Sequence, residues 1–290
     1  MYFVGLDLAW GERKPTGVAV VDADGRLAHI TAAQDDSSIL AELEPYVDGD
    51  CLVAIDAPLV VVNPTGQRAC ETDLNRDFAK FEAGAHPANT GKPEFATMPR
   101  GARIAAALGL DMDPQSRASR RAIEVYPHPA TIVLFRLGRT LKYKHKQGRS
   151  LKQLRTELLR LMDEIEGLAQ AAVPLRVAEH PEWIELRNAV ETAERKSELR
   201  RAEDPVDAVV CAYVALYATR RPAAVTVYGD FATGYIVTPT LPPDLTPAPP
   251  EPTPGVVGDA VARYAERRPE LIGTTEHYLA LVTRLLDDAG

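Results

Sequence analysis

Four aspartates in this 290-residue chain lie at the ends of segments whose residue pattern indicates buried elements. Asp7 ends the apolar run MYFVGLD, and Asp56 ends the apolar run CLVAID. Asp204 and Asp207 are three residues apart at the start of a late helical segment, EDPVDAVVCAYVALYATRR, so they share one helix face. A carboxylate at the end of a buried strand is costly unless a partner neutralises it.

Carboxylates that converge from separate elements repel one another, and divalent cations make such an arrangement stable. Mg²⁺ prefers oxygen ligands, commonly one or two carboxylates together with waters and a substrate phosphate. Two such ions about 4 Å apart would hold both the attacking water and the leaving oxygen of a phosphodiester. The acids therefore favour a metal-dependent phosphodiester hydrolase that uses Mg²⁺ or Mn²⁺.

Each acid also has an ordinary structural interpretation, which the residues alone leave open. Asp7 and Asp56 could each satisfy the backbone of a turn. Asp204 precedes Pro205 and is predicted to be the N-cap of the late helix. Asp207 in the first helical turn could act only through the helix dipole.

The elements that would position these acids can be read from the first half of the chain. Residues 2–9, 17–22 and 26–32 alternate or run apolar between turn signals, which predicts three antiparallel strands. A helix over 35–46, capped by Asp36 or Ser37, then leads into the short buried strand that ends at Asp56. Because a helix connects the third strand to the fourth, the fourth should run parallel to the first.

The rest of the chain is less regular. Residues 63–120 are predicted to be mostly irregular because Gly, Pro, Asn and Arg are frequent there. Downstream we predict a strand over 122–126 that carries Glu124, helices over 151–167 and near 181–200, and a final hairpin, AVTVYGD with GYIVTP. The segment 239–254 is half proline and should be extended, and a last amphipathic helix is predicted around 275–288.

Composition limits the classes of function. The net charge of −8 argues against indiscriminate nucleic-acid binding, and no apolar stretch is long enough for a membrane span. Three widely spaced cysteines form no zinc or disulfide pattern, so we expect a cytoplasmic protein. Residues 136–155 carry eight Arg or Lys and no acid. In an extended chain Lys142, Lys144 and Lys146 would share one face and could contact phosphates, and the alternative is a plain basic loop.

Several motifs together resemble a known family. The segments GLDLAW, PTGVAVVD, AIDAPL, RACE, EVYPHPA, DPVDAVVCAY and YGD with GYIVTP resemble the DUF429 family, whose members are described as predicted nucleases of the ribonuclease H-like superfamily. The resemblance implies an α/β fold with a mixed five-stranded sheet in the order 3-2-1-4-5 and helices on both faces. The D-x-x-D-A helix is also similar to that of RuvC-type resolvases.

Carried onto this sequence, the resemblance implies metal ligation by Asp7, Asp56 and Asp207, with Asp204 beside them. Asp56 departs from the resolvase pattern, in which a longer Glu stands at the second position. A shorter side chain there could move one metal by about an ångström, and catalysis is sensitive to such a shift.

The family pattern also includes residues that the wider superfamily lacks. Glu124 is a candidate catalytic residue, or else the buried partner of an arginine. Arg68 and Glu71 of the RACE segment are candidate substrate-binding residues. Lys142 and Lys144 are also candidates, on the basis of the basic stretch 136–155 and not of the family pattern. Arg68 and Glu71 could instead pair with each other.

Two other functions stay open on the sequence. Sugar kinases and actin-like ATPases share this style of opening, but they need two such domains and a late glycine-rich motif that is absent here. A non-catalytic interaction module is the other alternative.

We expect a ribonuclease H-like domain over 1–240, a Pro-rich linker over 241–254 and a helical extension over 255–290. That extension would dock on the domain or on a second protomer, as in a homodimer. The expected substrate is nucleic acid or another phosphodiester, without a membrane partner.

Overall fold

A five-stranded sheet forms from the apolar runs that the sequence predicts as strands. A computed structural model describes residues 1–11 and 15–249 of the chain. The sheet order is β3-β2-β1-β4-β5, as predicted. Its strands are β1 (Tyr2–Asp7), β2 (Thr16–Val21), β3 (Leu27–Ala33), β4 (Cys51–Ile55) and β5 (Arg120–Glu124).

Strand directions follow from the connections. The first three strands pair antiparallel, while β4 runs parallel to β1 and β5 runs parallel to β4. Helix α1 (Asp36–Val47) connects β3 to β4 and contacts β2 and β3, which confirms the predicted crossover. Its N-cap is Asp35, not Asp36 or Ser37, because the Asp35 carboxylate accepts a hydrogen bond from the Ser38 amide at 2.8 Å.

The late helix is longer than the sequence indicates. Helix α7 spans Lys196–Arg220 and packs on β1, β2 and β4. The prediction that Asp204 is its N-cap is therefore wrong, and Pro205 lies inside the helix. The first turns, KSELRRAED, are polar and carry little apolar periodicity, which is why the sequence does not reveal them.

The segment 63–120 is more regular than predicted, since it contains two α-helices and two single 3₁₀ turns. The predicted helix near 181–200 ends at Glu191 and gives way to an irregular stretch before α7.

No helix among the described residues is long and apolar enough to cross a bilayer. The remaining helices are α2 (Ala69–Phe78), α3 (Arg100–Ala107), α4 (Pro127–Leu134), α5 (Leu151–Gly167) and α6 (Pro181–Glu191).

The predicted final hairpin is present as β6 (Val225–Asp230) and β7 (Gly234–Pro239), which form a separate two-stranded sheet. Residues 240–249 contain no helix or strand. Residues Met1–Pro247 form one compact unit. The predicted last helix and the extension over 255–290 lie outside the described residues, so the docking and homodimer predictions do too.

Helix α7 approaches the sheet closely because two strand positions lack side chains. A Cβ on Gly5 of β1 would lie 1.9 Å from the carbonyl oxygen of Ala208, and a Cβ on Gly17 of β2 would lie 1.9 Å from that of Asp204. Both obstacles are helix backbone, which cannot rotate aside as a side chain can. These two glycines therefore fix how near α7 lies to the sheet.

Gly5→Ala should displace α7 and lower the free energy of unfolding by about 3 kcal/mol or more, because overpacking against backbone cannot relax locally. Chemical denaturation measures this loss. Gly49→Ala is the matched control, since its added Cβ would meet no atom within 4 Å. Equal stability of the two variants would contradict the close packing described here.

Candidate active site

Two acids lie side by side at one edge of the sheet because their strands are neighbours. Asp7 is the last residue of β1, and Asp56 directly follows β4. Leu6 pairs with Ile55 in the parallel ladder, and the Asp56 amide donates to the Leu6 carbonyl at 2.8 Å. The carboxyl ends of the two strands therefore place both acids at the same edge.

The acids of α7 approach the same edge from one face of the sheet. Gly5 faces α7, and side chains alternate along a strand, so Asp7 lies on that same face. Asp7 pairs across the sheet with Gly17, the residue that the backbone of Asp204 contacts. Asp207, one helical turn farther along, is 1% exposed. The strand register thus brings α7 over the end of β1.

A lysine occupies the centre of these acids. The Lys144 ammonium donates to Asp7 Oδ2 at 3.2 Å, forms an ion pair with Asp207 Oδ2 and lies 3.7 Å from Asp204 Oδ1. Three carboxylates from a strand and a helix therefore converge on one cationic nitrogen. The sequence predicts Lys144 as a substrate-binding residue, and the structure pairs it with Asp204 and with two of the three predicted metal ligands, Asp7 and Asp207.

The loop that carries Lys144 is fixed by its neighbours. The buried Tyr143 hydroxyl donates to Asp207 Oδ1 at 2.7 Å, so both oxygens of that carboxylate are engaged. The Arg149 guanidinium donates to the Lys144 carbonyl at 2.6 Å. The Lys142 amide donates to Glu157 Oε2 of α5 at 3.0 Å. The loop is therefore anchored on both sides of Lys144.

Burial of Asp7 outweighs the favourable effect of Lys144 on its ionised form. The pKa of Asp7 is raised to about 7, chiefly by burial, and Asp207 and Asp204 raise it further while Lys144 opposes the shift. The pKa of Asp56 is raised well above its ordinary value by burial and by Asp7. The pKa of Lys144 is also raised well above its ordinary value, because the acids outweigh its burial and keep it protonated. Ionisation of Asp7 and Asp56 is therefore unfavourable in this environment, and a bound cation would favour it.

A cavity of about 480 Å³ opens over Asp7 and Asp56. Its walls carry cationic and aromatic groups: Trp10, His86, Tyr126, His128, Lys144, Lys146 and Arg149. Three of the eight basic residues of the stretch 136–155, namely Lys144, Lys146 and Arg149, therefore border the acids. Burial lowers the pKa of His128 to about 4, so this histidine is neutral near pH 7.

The donor chemistry of the site fits Mg²⁺ or Mn²⁺, since its acids offer only carboxylate oxygens. Within residues 1–11 and 15–249, no group of three or more His, Cys, Asp or Glu side chains is arranged to hold a metal. The carboxylate of Asp56 and Asp7 Oδ1 make no hydrogen bond or ion pair with a described residue. Two carboxylates are therefore free for an ion, a number that Mg²⁺ commonly takes from a protein.

One known protein family matches most of this chain. The sequence profile of the family described as "Protein of unknown function (DUF429)" matches residues 5–233, a range that includes all four aspartates. The chain belongs to the DUF429 family. No match was found among curated proteins or among solved structures.

The RACE and EVYPHPA segments of this DUF429 chain meet in a buried ionic cluster. The Arg68 guanidinium donates to Glu71 Oε1 at 2.8 Å and to Glu124 Oε1 and Oε2 at 2.5 and 2.9 Å. Glu124 also accepts from the Leu59 amide at 2.9 Å, just beyond Asp56. The interpretation of Glu124 as the buried partner of an arginine is thus confirmed, as is the pairing of Arg68 with Glu71. The cluster anchors the chain that follows Asp56.

Lys142 and Glu203 are two further charged residues whose surroundings the sequence does not show. Lys142, a predicted substrate-binding residue, forms an ion pair with Glu82. Glu203 is an acid that the sequence analysis missed: it is 5% exposed, its Oε1 has no hydrogen-bond partner among the described residues, and its pKa is raised to about 7, chiefly by burial. Its spacing of four residues from Asp207 on one helix was the available signal.

Asp7→Asn should stabilise the metal-free protein at pH 8. A carboxyl whose pKa rises from 3.8 to about 7 on folding binds more protons in the folded state, so its contribution to stability falls as pH rises across that interval. Asparagine cannot ionise and removes this loss. We expect a gain on the order of 2–3 kcal/mol at pH 8, shrinking by pH 5.

Urea denaturation in the presence of a chelator, at both pH values, measures this difference. Asp163→Asn is the control, because Asp163 is 60% exposed in its surface pair with Arg187, so the substitution should change the free energy of unfolding little. If Asp7→Asn costs more stability at pH 8 than at pH 5, the charge balance described above is wrong.

Proposed function

We propose that this DUF429 chain is a metal-dependent phosphodiester hydrolase, most simply a nuclease. The observation that carries the proposal is the convergence of Asp7, Asp204 and Asp207 on a single cationic nitrogen, with Asp56 beside them. Asp207 is buried and the other three acids are half-buried, and divalent cations are the natural partners of carboxylates held so close together. Such a hydrolase needs acids that bind metal beside basic residues that contact the anionic substrate, and the cavity is lined by both kinds.

The acids divide into two roles. Asp56 and Asp7 have free carboxylate oxygens and would hold Mg²⁺ or Mn²⁺. Asp204 and Asp207 hold Lys144, and Tyr143 fixes the orientation of Asp207. A bound divalent ion would supply Lewis acidity and lower the pKa of a coordinated water.

The cavity wall supplies the contacts to the substrate. In hydrolysis a water oxygen attacks phosphorus and the bond from phosphorus to the leaving oxygen breaks, so negative charge builds on the phosphoryl and leaving oxygens. Lys146 and Arg149 line the cavity and can offset that charge. The side chain of Lys146 is exposed and forms no ion pair with a described residue, which leaves it available for a phosphate.

The size of the cavity limits the size of the group that a substrate can insert. A volume of about 480 Å³ lies within the range of small-molecule sites. Trp10 and Tyr126 in its wall offer aromatic faces for a base or another planar group. These features support a substrate that inserts one phosphodiester and one adjoining group, such as a nucleotide at the end of a single strand.

A phosphotransferase of the sugar-kinase kind is less well supported, because those proteins need two such domains and residues 1–11 and 15–247 form one unit with one five-stranded sheet.

We also propose a cytoplasmic location. All three cysteines, Cys51, Cys70 and Cys211, are free, as a reducing compartment favours.

Asp7→Asn should reduce Mn²⁺-dependent hydrolysis by about 10²-fold or more, because it removes charge that holds the ion and the developing transition state. The assay compares a chromogenic phosphodiester with labelled single-stranded and duplex DNA and RNA, with Mn²⁺ and with chelator. Asp163→Asn, on the surface of α5, should keep wild-type activity.

Unchanged hydrolysis in Asp7→Asn would show that the activity resides elsewhere. Absence of hydrolysis in the wild-type protein across all these substrates, together with no Mn²⁺ binding, would favour the non-catalytic interaction module.

A further inference from the structure

Lys144 differs from the other basic residues of its loop because it lies among the acids. Its ammonium contacts Asp7, Asp204 and Asp207 within one cluster, so one positive charge already lies among these acids. We propose that this site takes one divalent ion, and that the Lys144 ammonium permanently replaces the second. This inference rests on the proposed function and names how its cation site is built.

The first support is that the loop backbone at Lys144 is anchored beside the acids. Tyr143, its neighbour in the chain, is 1% exposed and hydrogen-bonded to Asp207, so withdrawing the loop would unpack a buried aromatic ring and break that bond. Arg149 holds the Lys144 carbonyl from the other side. An ion that displaced the ammonium would have to break its contacts with Asp7, Asp204 and Asp207 while the loop backbone stays anchored beside these acids.

The second support is the distribution of free oxygens. Asp207 has one oxygen on Tyr143 and the other on Lys144, so both are engaged. Asp7 uses Oδ2 for Lys144 and leaves Oδ1 free, and the carboxylate of Asp56 makes no hydrogen bond or ion pair with a described residue. The free oxygens thus lie on two adjacent residues, enough for one Mg²⁺ completed by waters and phosphate.

The third support is the balance of charge. Asp7, Asp56, Asp204 and Asp207 together carry four negative charges when ionised. The ammonium and one divalent ion supply three positive charges, and Lys146 and Arg149 remain on the rim for the anionic substrate. A second divalent ion beside a fixed ammonium would put like charges in contact, which is strongly unfavourable at short range.

Titration calorimetry with Mn²⁺ alone, followed by electron paramagnetic resonance of the loaded protein, tests this inference. The wild-type protein should bind one Mn²⁺ per chain and give the spectrum of an isolated ion. Lys144→Met keeps the apolar stem and removes the charge, so this variant should bind a second Mn²⁺ and show the broadening of two coupled ions. Lys146→Met, on the same loop but outside the acid cluster, should still bind one.

Two Mn²⁺ ions per wild-type chain would overturn the inference while leaving the proposed hydrolase intact. A single ion in Lys144→Met with wild-type affinity would also overturn it, provided that circular dichroism shows a folded variant. The wild-type stoichiometry needs no substitution, so it tests the inference even if Lys144→Met does not fold. No Mn²⁺ binding in any of the three proteins would contradict both this inference and the proposed function.

Discussion

Repulsion among buried carboxylates is the constraint on which the rest of this structure depends. Asp7 and Asp56 are forced together by the pairing of β1 with β4, and Asp204 and Asp207 are brought over them by the close approach of α7 to Gly5 and Gly17. The Lys144 ammonium compensates part of that negative charge. The anchored loop presents Lys144 to these acids, Lys146 and Arg149 line the cavity beside them, and the pKa of Asp7 is raised chiefly by burial and further by Asp207 and Asp204.

The fold was largely predictable because its signals are local. Apolar runs and turn residues predict β1 to β4, and a helix between β3 and β4 requires the parallel pair that brings Asp7 beside Asp56. The start of α7 was not predictable, because its first turns are polar and Pro205 resembles a helix start. There the packing of the helix on Gly17 overrides the local signal.

The acids of the site could be found from position alone, but their partners could not. Lys144 lies 137 residues from Asp7 in the chain, in an irregular loop without periodicity, so only the tertiary structure shows that its ammonium is directed at the acids and not at the solvent. The same holds for Glu124, whose strand predicts burial but does not identify Arg68 as its partner. Long-range ionic contacts depend on packing that no short segment encodes.

The most direct test of the central claim is a crystal structure of the wild-type protein with bound Mn²⁺, in which anomalous scattering locates the ion without reference to any assay. The account predicts an anomalous peak within coordination distance of the carboxylates of Asp7 and Asp56, with the Lys144 ammonium still among Asp7, Asp204 and Asp207. No peak at these acids under saturating Mn²⁺, or a peak bound only at another part of the surface, would contradict it.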